Sequence, residues 1–337
     1  MTPTRSFLAA TAGATAALAF LAGCSPATAS DSDSADRQPV TVVLDWTPNT
    51  NHGGLYLAEA NGWFDDAGLD VEIIEPGETS GLQLLATGHA DFAYSVAESL
   101  VPARAQGVDA VSVAAIVEHN TSSLIFEASS GITRPRDLEG KVYGTYGSDL
   151  ENALISQLIA CDGGDPEMAT APLASDDFRI GLSEHQFDFA WVFDAWDTIR
   201  LRDIDGMDVG TLPFLDYTQC IPDWYTPLLA TTASTLTSDP TMVRAFLDVL
   251  SRGYRAAMED PAAAADALLA AAPELDPTLV RASADYLATR YADDAAAWGR
   301  QTPATWNGFV GFLEAKDLLE DGFDTDAAWT NDYLPTH

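Results

Sequence analysis

Lysine is almost missing: Lys141 and Lys316 are the only two in 337 residues. Chemistry that needs a lysine Schiff base must therefore use one of them. Basic residues are scarce altogether, with Lys+Arg 16 against Asp+Glu 51 and a formal net charge of −35. That field repels phosphate backbones and argues against nucleic-acid binding. Much of the acid reads as solvated surface. Metal-ligand spacing is also lacking: the five histidines are scattered, and neither CxxC nor HExxH occurs, so no metal site is expected. After Gly23 no apolar run approaches the roughly 20 residues a membrane-spanning helix requires. No internal repeat is evident.

The one long apolar stretch lies at the start. It runs from Phe7 to Leu-Ala-Gly-Cys at 21–24, behind Arg5, and looks like a lipoprotein signal in which Cys24 is lipidated after cleavage. The alternative is an ordinary secretory signal. Residues 1–23 are read as the signal peptide and 24–38, rich in Ser, Ala and Asp, as a flexible tether. The folded body is then expected outside the plasma membrane, held to its outer face by acyl chains. Of the three cysteines, Cys161 and Cys220 remain as an even pair in an oxidising compartment. A disulfide and two unbonded buried thiols are both open readings, since sequence does not supply their separation.

Strand and helix patterns alternate from Val40 onward. The β-branched run Val40–Leu44 reads as a buried strand, followed by the polar loop Asp45–His52 and a helix over Gly53–Asn61. Further strands are expected at Val71–Glu75, Ala90–Tyr94, Val111–Val117, Ser123–Phe126 and Phe189–Phe193, and one running into a glycine turn over Lys141–Gly147, with helices at Ser80–Thr87, Glu98–Ala105 and Leu150–Ile159. From Pro240 the chain is mostly helical, with Pro261 and Pro277 at helix starts. This order predicts an α/β fold with mainly parallel sheets.

Several segments together carry a family likeness: Leu-Asp-Trp-Thr-Pro-Asn-Thr-Asn-His (44–52), Asn-Gly-Trp-Phe (61–64), Gly-Leu-Asp-Val-Glu-Ile-Ile-Glu-Pro-Gly (68–77), Ala-Arg-Ala-Gln-Gly (103–107), Glu-His-Asn-Thr-Ser (118–122), Tyr-Gly-Ser (146–148), Asp-Phe-Ala-Trp-Val-Phe (188–193) and Tyr-Thr-Pro (225–227). In this order they resemble the periplasmic-type substrate-binding proteins of ABC importers. The likeness is to the branch of the thiamine-pyrimidine-synthase-like superfamily that captures precursors such as formylaminopyrimidine. The resemblance implies a two-lobed type II clamshell, each lobe a mainly parallel sheet flanked by helices. Two interlobe crossings are expected near 122–128 and 226–232, giving lobe I as 39–125 with 229–337 and lobe II as 126–228. It further implies a monomer that binds a small molecule without transforming it, needs no cofactor, and hands its ligand to an ABC permease driven by an ATPase.

The ligand is expected between the lobes, at loops beyond strand carboxyl ends. An aminopyrimidine has a flat π-face, ring nitrogens that accept and an exocyclic amine that donates, so it wants aromatic walls, amides at its edge and a carboxylate. The Asp45–His52 loop offers Trp46, Asn49, Asn51 and His52, although Pro48 and the asparagines also shape turns and His52 has a packing role as its alternative. Glu98 opens a helix, where it either complements the helix dipole or accepts from an amine. Asn120 and Thr121 lie at the first crossing. Tyr146, Gly147 and Ser148 face them from lobe II, where a helix start offers N–H donors. Trp191, Asp194, Trp196 and Tyr225 complete the set, with Asp194 and Trp196 preferred over Trp191, which alternation also fits to the core. Relatives more often carry an aromatic residue at the position of Asp194.

Two other readings compete. Thiamine-pyrimidine synthases share the fold but use a lysine and a histidine on the segment where this chain has Ser95 and Ser99, and their cysteine-rich iron motif is absent. The other is the same clamshell around a different heteroaromatic such as a flavin. Anion binders of this fold would need arginines or bare helix N-termini in the cleft, whereas these loops are acidic and aromatic.

Overall fold

A computed structural model describes residues 37–173 and 178–336. The signal peptide, Cys24 and all but the end of the tether lie outside the described residues. Within them the strands are β1 (Gln38–Val43), β2 (Leu69–Ile74), β3 (Phe92–Ser95), β4 (Ala110–Ala115), β5 (Ser122–Glu127), β6 (Val142–Thr145), β7 (Ala169–Pro172), β8 (Phe189–Phe193), β9 (Val209–Pro213) and β10 (Leu228–Thr232). They form two five-stranded sheets, ordered β2-β1-β3-β10-β4 and β7-β6-β8-β5-β9. In each sheet four strands point one way and one is reversed. The reversed strands are β10 and β5, each antiparallel to both its neighbours. The fold is the expected two-lobed α/β arrangement of mainly parallel sheets flanked by helices. The sequence cause is plain in β1 and β4: Val40, Val42, Val43, Val113 and Ala114 are all at most 1% exposed, as strands covered on both faces require.

The reversed strands are the ones the chain enters on changing sheet. It leaves the first sheet at the end of β4, crosses through 116–121, and starts β5 between β8 and β9 of the second. It returns from β9 through 214–227 into β10, which slots between β3 and β4. The expected domain limits at 125/126 and 228/229 therefore fall inside β5 and β10, and both crossings lie N-terminal to where they were expected. The physical reason is that each crossing strand is continuous with its new sheet from its first residue.

Four later helices share one start signal, proline at the first turn behind a capping side chain. They are Pro240–Glu259, Pro261–Ala271, Pro277–Ala288 and Pro303–Ala315, capped by Asp239, Asp260, Asp276 and Thr302. The first of them crosses the helix Gly53–Ala60 at near contact between backbones. A Cβ on Gly253 would sit 2.1 Å from the Gly54 carbonyl oxygen, and one on Gly54 only 2.4 Å from the Tyr254 ring. Gly253→Ala is expected to cost about 3 kcal/mol or more, because backbone rather than a flexible side chain must move. Gly311→Ala, on a helix face with open space, should instead be neutral or stabilising by up to about 1 kcal/mol. Denaturant melts of the two variants side by side check this. Equal midpoints would refute the close approach.

Candidate ligand-binding site

Strand β1 delivers the Asp45–His52 loop. Asn49 is the cap of the short turn Thr50–His52: its Oδ1 accepts the Asn51 N–H at 2.9 Å, and its own Nδ2 donates to Thr47 O at 3.0 Å. His52 closes the box. Its Nδ1 accepts the Asn49 N–H at 3.2 Å and its Nε2 lies 2.8 Å from Asp45 Oδ1, which fixes the proton on Nε2. The imidazole is fully buried and edge-on to Tyr94, with ring centroids 4.9 Å apart. Behind the loop, Tyr254 donates to Asn51 O at 2.6 Å and so receives the Tyr94 hydroxyl proton at 2.8 Å. Asn49 and His52 thus use these polar atoms in shaping the loop, the packing role that was the alternative for His52. Trp46, 58% exposed, and the side-chain amide of Asn51, with no hydrogen bond among the described residues, are what the loop presents.

The two crossings lie side by side. Asp223 of the return crossing accepts the Asn120 N–H at 3.0 Å and lies 2.6 Å from His119 Nδ1. This carboxylate raises the His119 pKa above its ordinary value, against a smaller opposing effect of burial. Tyr225 O accepts the Ala97 N–H at 3.1 Å and so brings Glu98 against the same crossing. The Glu98 carboxyl is pushed up to about 7 by burial, with Trp224 and Thr226 as the polar side chains that pull the other way. Neither closes a hydrogen bond with it, and Oε2 is sealed from solvent although the residue as a whole keeps some exposed surface.

What gathers here is a set of buried polar atoms without partners. Of the eight such side-chain atoms among the described residues, six belong to this region: Glu98 Oε2, Asn120 Nδ2, Ser122 Oγ, Trp191 Nε1, Trp224 Nε1 and Thr226 Oγ1. Contacts join them in subsets. The Trp191 and Trp224 rings meet at 6.0 Å, Asn120 Oδ1 accepts the Ser122 N–H at 2.7 Å, and Ser122 lies opposite Phe193 in the sheet. Native chains leave few buried polar groups unpaired, each at a cost of about 1–3 kcal/mol. Drawn from both lobes, these atoms form the candidate ligand-facing set. It offers a carboxyl, two indole N–H donors, an amide N–H and two hydroxyls, and no guanidinium. Two surface depressions elsewhere, one around Arg104 and Phe323 and one around Trp63 and Glu259, are lined by none of these residues.

Of the remaining expected residues, Thr121 is buried and its carbonyl accepts the Asp194 N–H at 3.0 Å. Asp194 is held by Ser123 Oγ at 2.5 Å and Thr198 Oγ1 at 2.6 Å, with its pKa raised by burial, so both its oxygens are engaged. Tyr225 is 2% exposed and its hydroxyl accepts the Thr302 N–H at 2.8 Å, a packing role where ligand contact was expected. Trp196 packs against the core of the first lobe. Tyr146 is 56% exposed, and Gly147, at φ +95°, makes the turn before the helix Asp149–Cys161. At that helix start Glu151 accepts from the Ser148 and Tyr146 N–H groups and Ser148 Oγ accepts the Glu151 N–H, a reciprocal cap that engages these three of the local donors. Sequence reading missed Ser122, Trp224 and Thr226. Thr226 belongs to the Tyr-Thr-Pro motif (225–227) and Trp224 immediately precedes it. Cys161 and Cys220 are bonded, with an S–S distance of 2.02 Å.

Comparison with known proteins decides the family, since the NMT1/THI5-like description matches residues 49–264. This chain belongs to the NMT1/THI5-like family. Within that family it is similar to the formylaminopyrimidine-binding protein of Halalkalibacterium halodurans, 28% identical over 90% of this chain and 92% of that one. It is also similar to the 4-amino-5-hydroxymethyl-2-methylpyrimidine phosphate synthase THI11 of Saccharomyces cerevisiae, 25% identical over 66% of this chain and 68% of the synthase. Among solved structures it shares the fold of the periplasmic aliphatic sulphonate binding protein SsuA from Escherichia coli, with a TM-score of 0.68 at 16% identity, covering 89% of this chain and 94% of that one.

Proposed function

We propose that this NMT1/THI5-like protein is the solute-binding component of an ABC importer. It captures a thiamine-related aminopyrimidine of the formylaminopyrimidine kind between its lobes and delivers it to a permease driven by an ATPase. Lipidation at Cys24 would hold it on the outer face of the plasma membrane. The observation that carries the ligand class is the cluster of six unpartnered polar atoms. Glu98 suits an exocyclic amine, while Trp191, Trp224 and Asn120 offer N–H donors to ring nitrogens and a carbonyl-type oxygen. The relative over nine-tenths of the chain supports the same reading.

The synthase chemistry of other relatives finds little to work with. Ser95 ends β3 and Ser99 lies on the helix Ala97–Ala105 beside Glu98, and hydroxyls there form no Schiff base. Lys141 precedes β6, at the end of that strand away from Tyr146, and Lys316 Nζ bonds Gln157 at 2.6 Å.

A thermal-shift series with formylaminopyrimidine, hydroxymethylpyrimidine, thiamine, riboflavin, nitrate and taurine tests the assignment. A ligand at 100 times its Kd stabilises the folded state by about 2.7 kcal/mol, which moves the melting temperature by several degrees. The expected response is to the aminopyrimidines. A response to riboflavin alone, or to nitrate or taurine alone, would overturn it.

A further inference from the structure

One segment of the second lobe is built into the first. After β8 the chain turns through two wide π-type stretches, Asp194–Thr198 and Arg200–Ile204, and both touch the helix Pro277–Ala288 of the first lobe. Ala195, 4% exposed, belongs to the apolar core of the first lobe together with Ala284 and Leu287 from that helix, and Trp196 packs against the same core. The base of the segment is fixed by two hydrogen bonds, Asp194 N–H to Thr121 O just before β5 and Ser123 Oγ of β5 to the Asp194 carboxylate, and is braced internally by Thr198 Oγ1 to that carboxylate and Phe193 N–H to Asp197 Oδ2 at 3.0 Å. Charge acts across the same seam. Asp194 interacts with Arg202 of its own lobe and with Arg290 just beyond the first-lobe helix, where the guanidinium lies 3.6 Å over the Tyr286 ring.

We propose that Trp196 and its π-turn form an interlobe latch that sets the balance between closed and open lobes without touching the ligand. A wide helical turn projects side chains out of the regular ridge pattern, and here it delivers an indole to the neighbouring lobe rather than to its own. Because the segment springs from the residue that bonds Thr121, its seating is tied to the first crossing, about which the lobes would turn. A ligand that binds only the closed form then has an apparent affinity scaled by the closed fraction. Trp196 would be a positioning residue for binding, which differs from the direct contact expected of it from sequence.

The first test needs no ligand and so stands apart from the functional reading. Spin labels at Asp70→Cys, on the outer strand of the first sheet, and Glu167→Cys, exposed beside β7, report the interlobe distance in the full chain. Trp196→Ala is expected to raise the ratio of long to short distances by about tenfold, the equivalent of losing part of one buried aromatic side chain. Trp196→Phe should recover most of the short-distance population, and Arg290→Gln should shift it in the same direction as Trp196→Ala by a smaller factor. Distance distributions in Trp196→Ala and Arg290→Gln that superimpose on the parent's would overturn the latch. A second readout rests on the aminopyrimidine reading. Trp196→Ala should weaken formylaminopyrimidine and hydroxymethylpyrimidine by the same factor, since it changes the closed fraction alone. A factor that differs between the two ligands would mean direct contact instead.

Discussion

Glu98→Gln is expected to make the ligand-free protein more stable while making it a poorer binder. The carboxyl is pushed from 4.5 to about 7 by burial. An acid whose folded pKa lies above its unfolded value holds its proton longer in the folded state. Stability therefore falls as pH rises from about 4.5 to about 7, and the full cost is present above that window. The shift corresponds to about 3 kcal/mol at pH 8. Glutamine keeps the shape and never ionises, so the variant should melt several degrees higher than the parent at pH 8. At pH 4.5 the two should coincide. Calorimetric melts at both values check it, and a difference that does not change with pH would remove the buried ionised carboxyl from the account.

The same substitution removes the strongest acceptor in the site. A hydrogen bond to a charged group contributes about 1.5–3 kcal/mol, so loss of the carboxylate should weaken aminopyrimidine binding by about tenfold or more. For a ligand that does not itself titrate between pH 6 and 8, parent affinity should climb with pH up to about 7 and then level, because the carboxylate must be ionised to receive an amine. The Glu98→Gln titration should be flat. Stability gained where function is lost is the signature of a group held in the site for its ligand, and a merely structural glutamate would lose on both counts.

Much of this architecture was legible along the chain because it is written in local patterns. Buried β-branched runs gave β1 and β4, and proline at the first turn gave the helices that begin at Pro261 and Pro277. Strand β7 escaped because it is a four-residue edge strand, largely exposed and containing alanine and proline, which carries little periodic signal. Strand β10 escaped for the opposite reason: Leu-Leu-Ala-Thr-Thr is buried throughout and shows no alternation.

The site was legible as a neighbourhood and less so atom by atom. Glu98, Asn120 and Trp191 do carry unpartnered polar atoms. Asn49 and His52, by contrast, stand three apart at a helix start, which is the spacing of a reciprocal cap, and that signal was available in the sequence. At 224–226 the difficulty is one of direction. Successive side chains of an extended segment point to opposite sides, so Tyr225 reaches Thr302 and Trp306 while Trp224 and Thr226 approach Glu98. Sequence names the motif, and only the packing of the two crossings says which of its members is turned inward.

Breaking the Cys161–Cys220 bond should produce the second large effect, and it should reach the site. The bond joins the end of the helix Asp149–Cys161 to the return crossing itself, across a sequence separation of 59. Closing a loop of that length restricts the unfolded chain by about 4 kcal/mol, so Cys161→Ser with Cys220→Ser should lower the melting temperature by on the order of 10 °C. The location adds a local consequence. Cys220 donates its N–H to Tyr217 O at 2.8 Å, Ile221 is 1% exposed, and Trp224 follows three residues later, stacked on Phe309 at 5.5 Å. Freed at Cys220, this stretch keeps its apolar anchors but loses its covalent one, so amide exchange over 221–226 should rise more than exchange in β1 or β3. A fall in melting temperature with uniform exchange would confine the bond to an effect on the unfolded chain. Identical melts with and without reductant would show that it contributes nothing. If exchange rises locally, ligand affinity should fall with it, because Trp224 and Thr226 can satisfy a ligand only while the crossing holds them opposite Glu98.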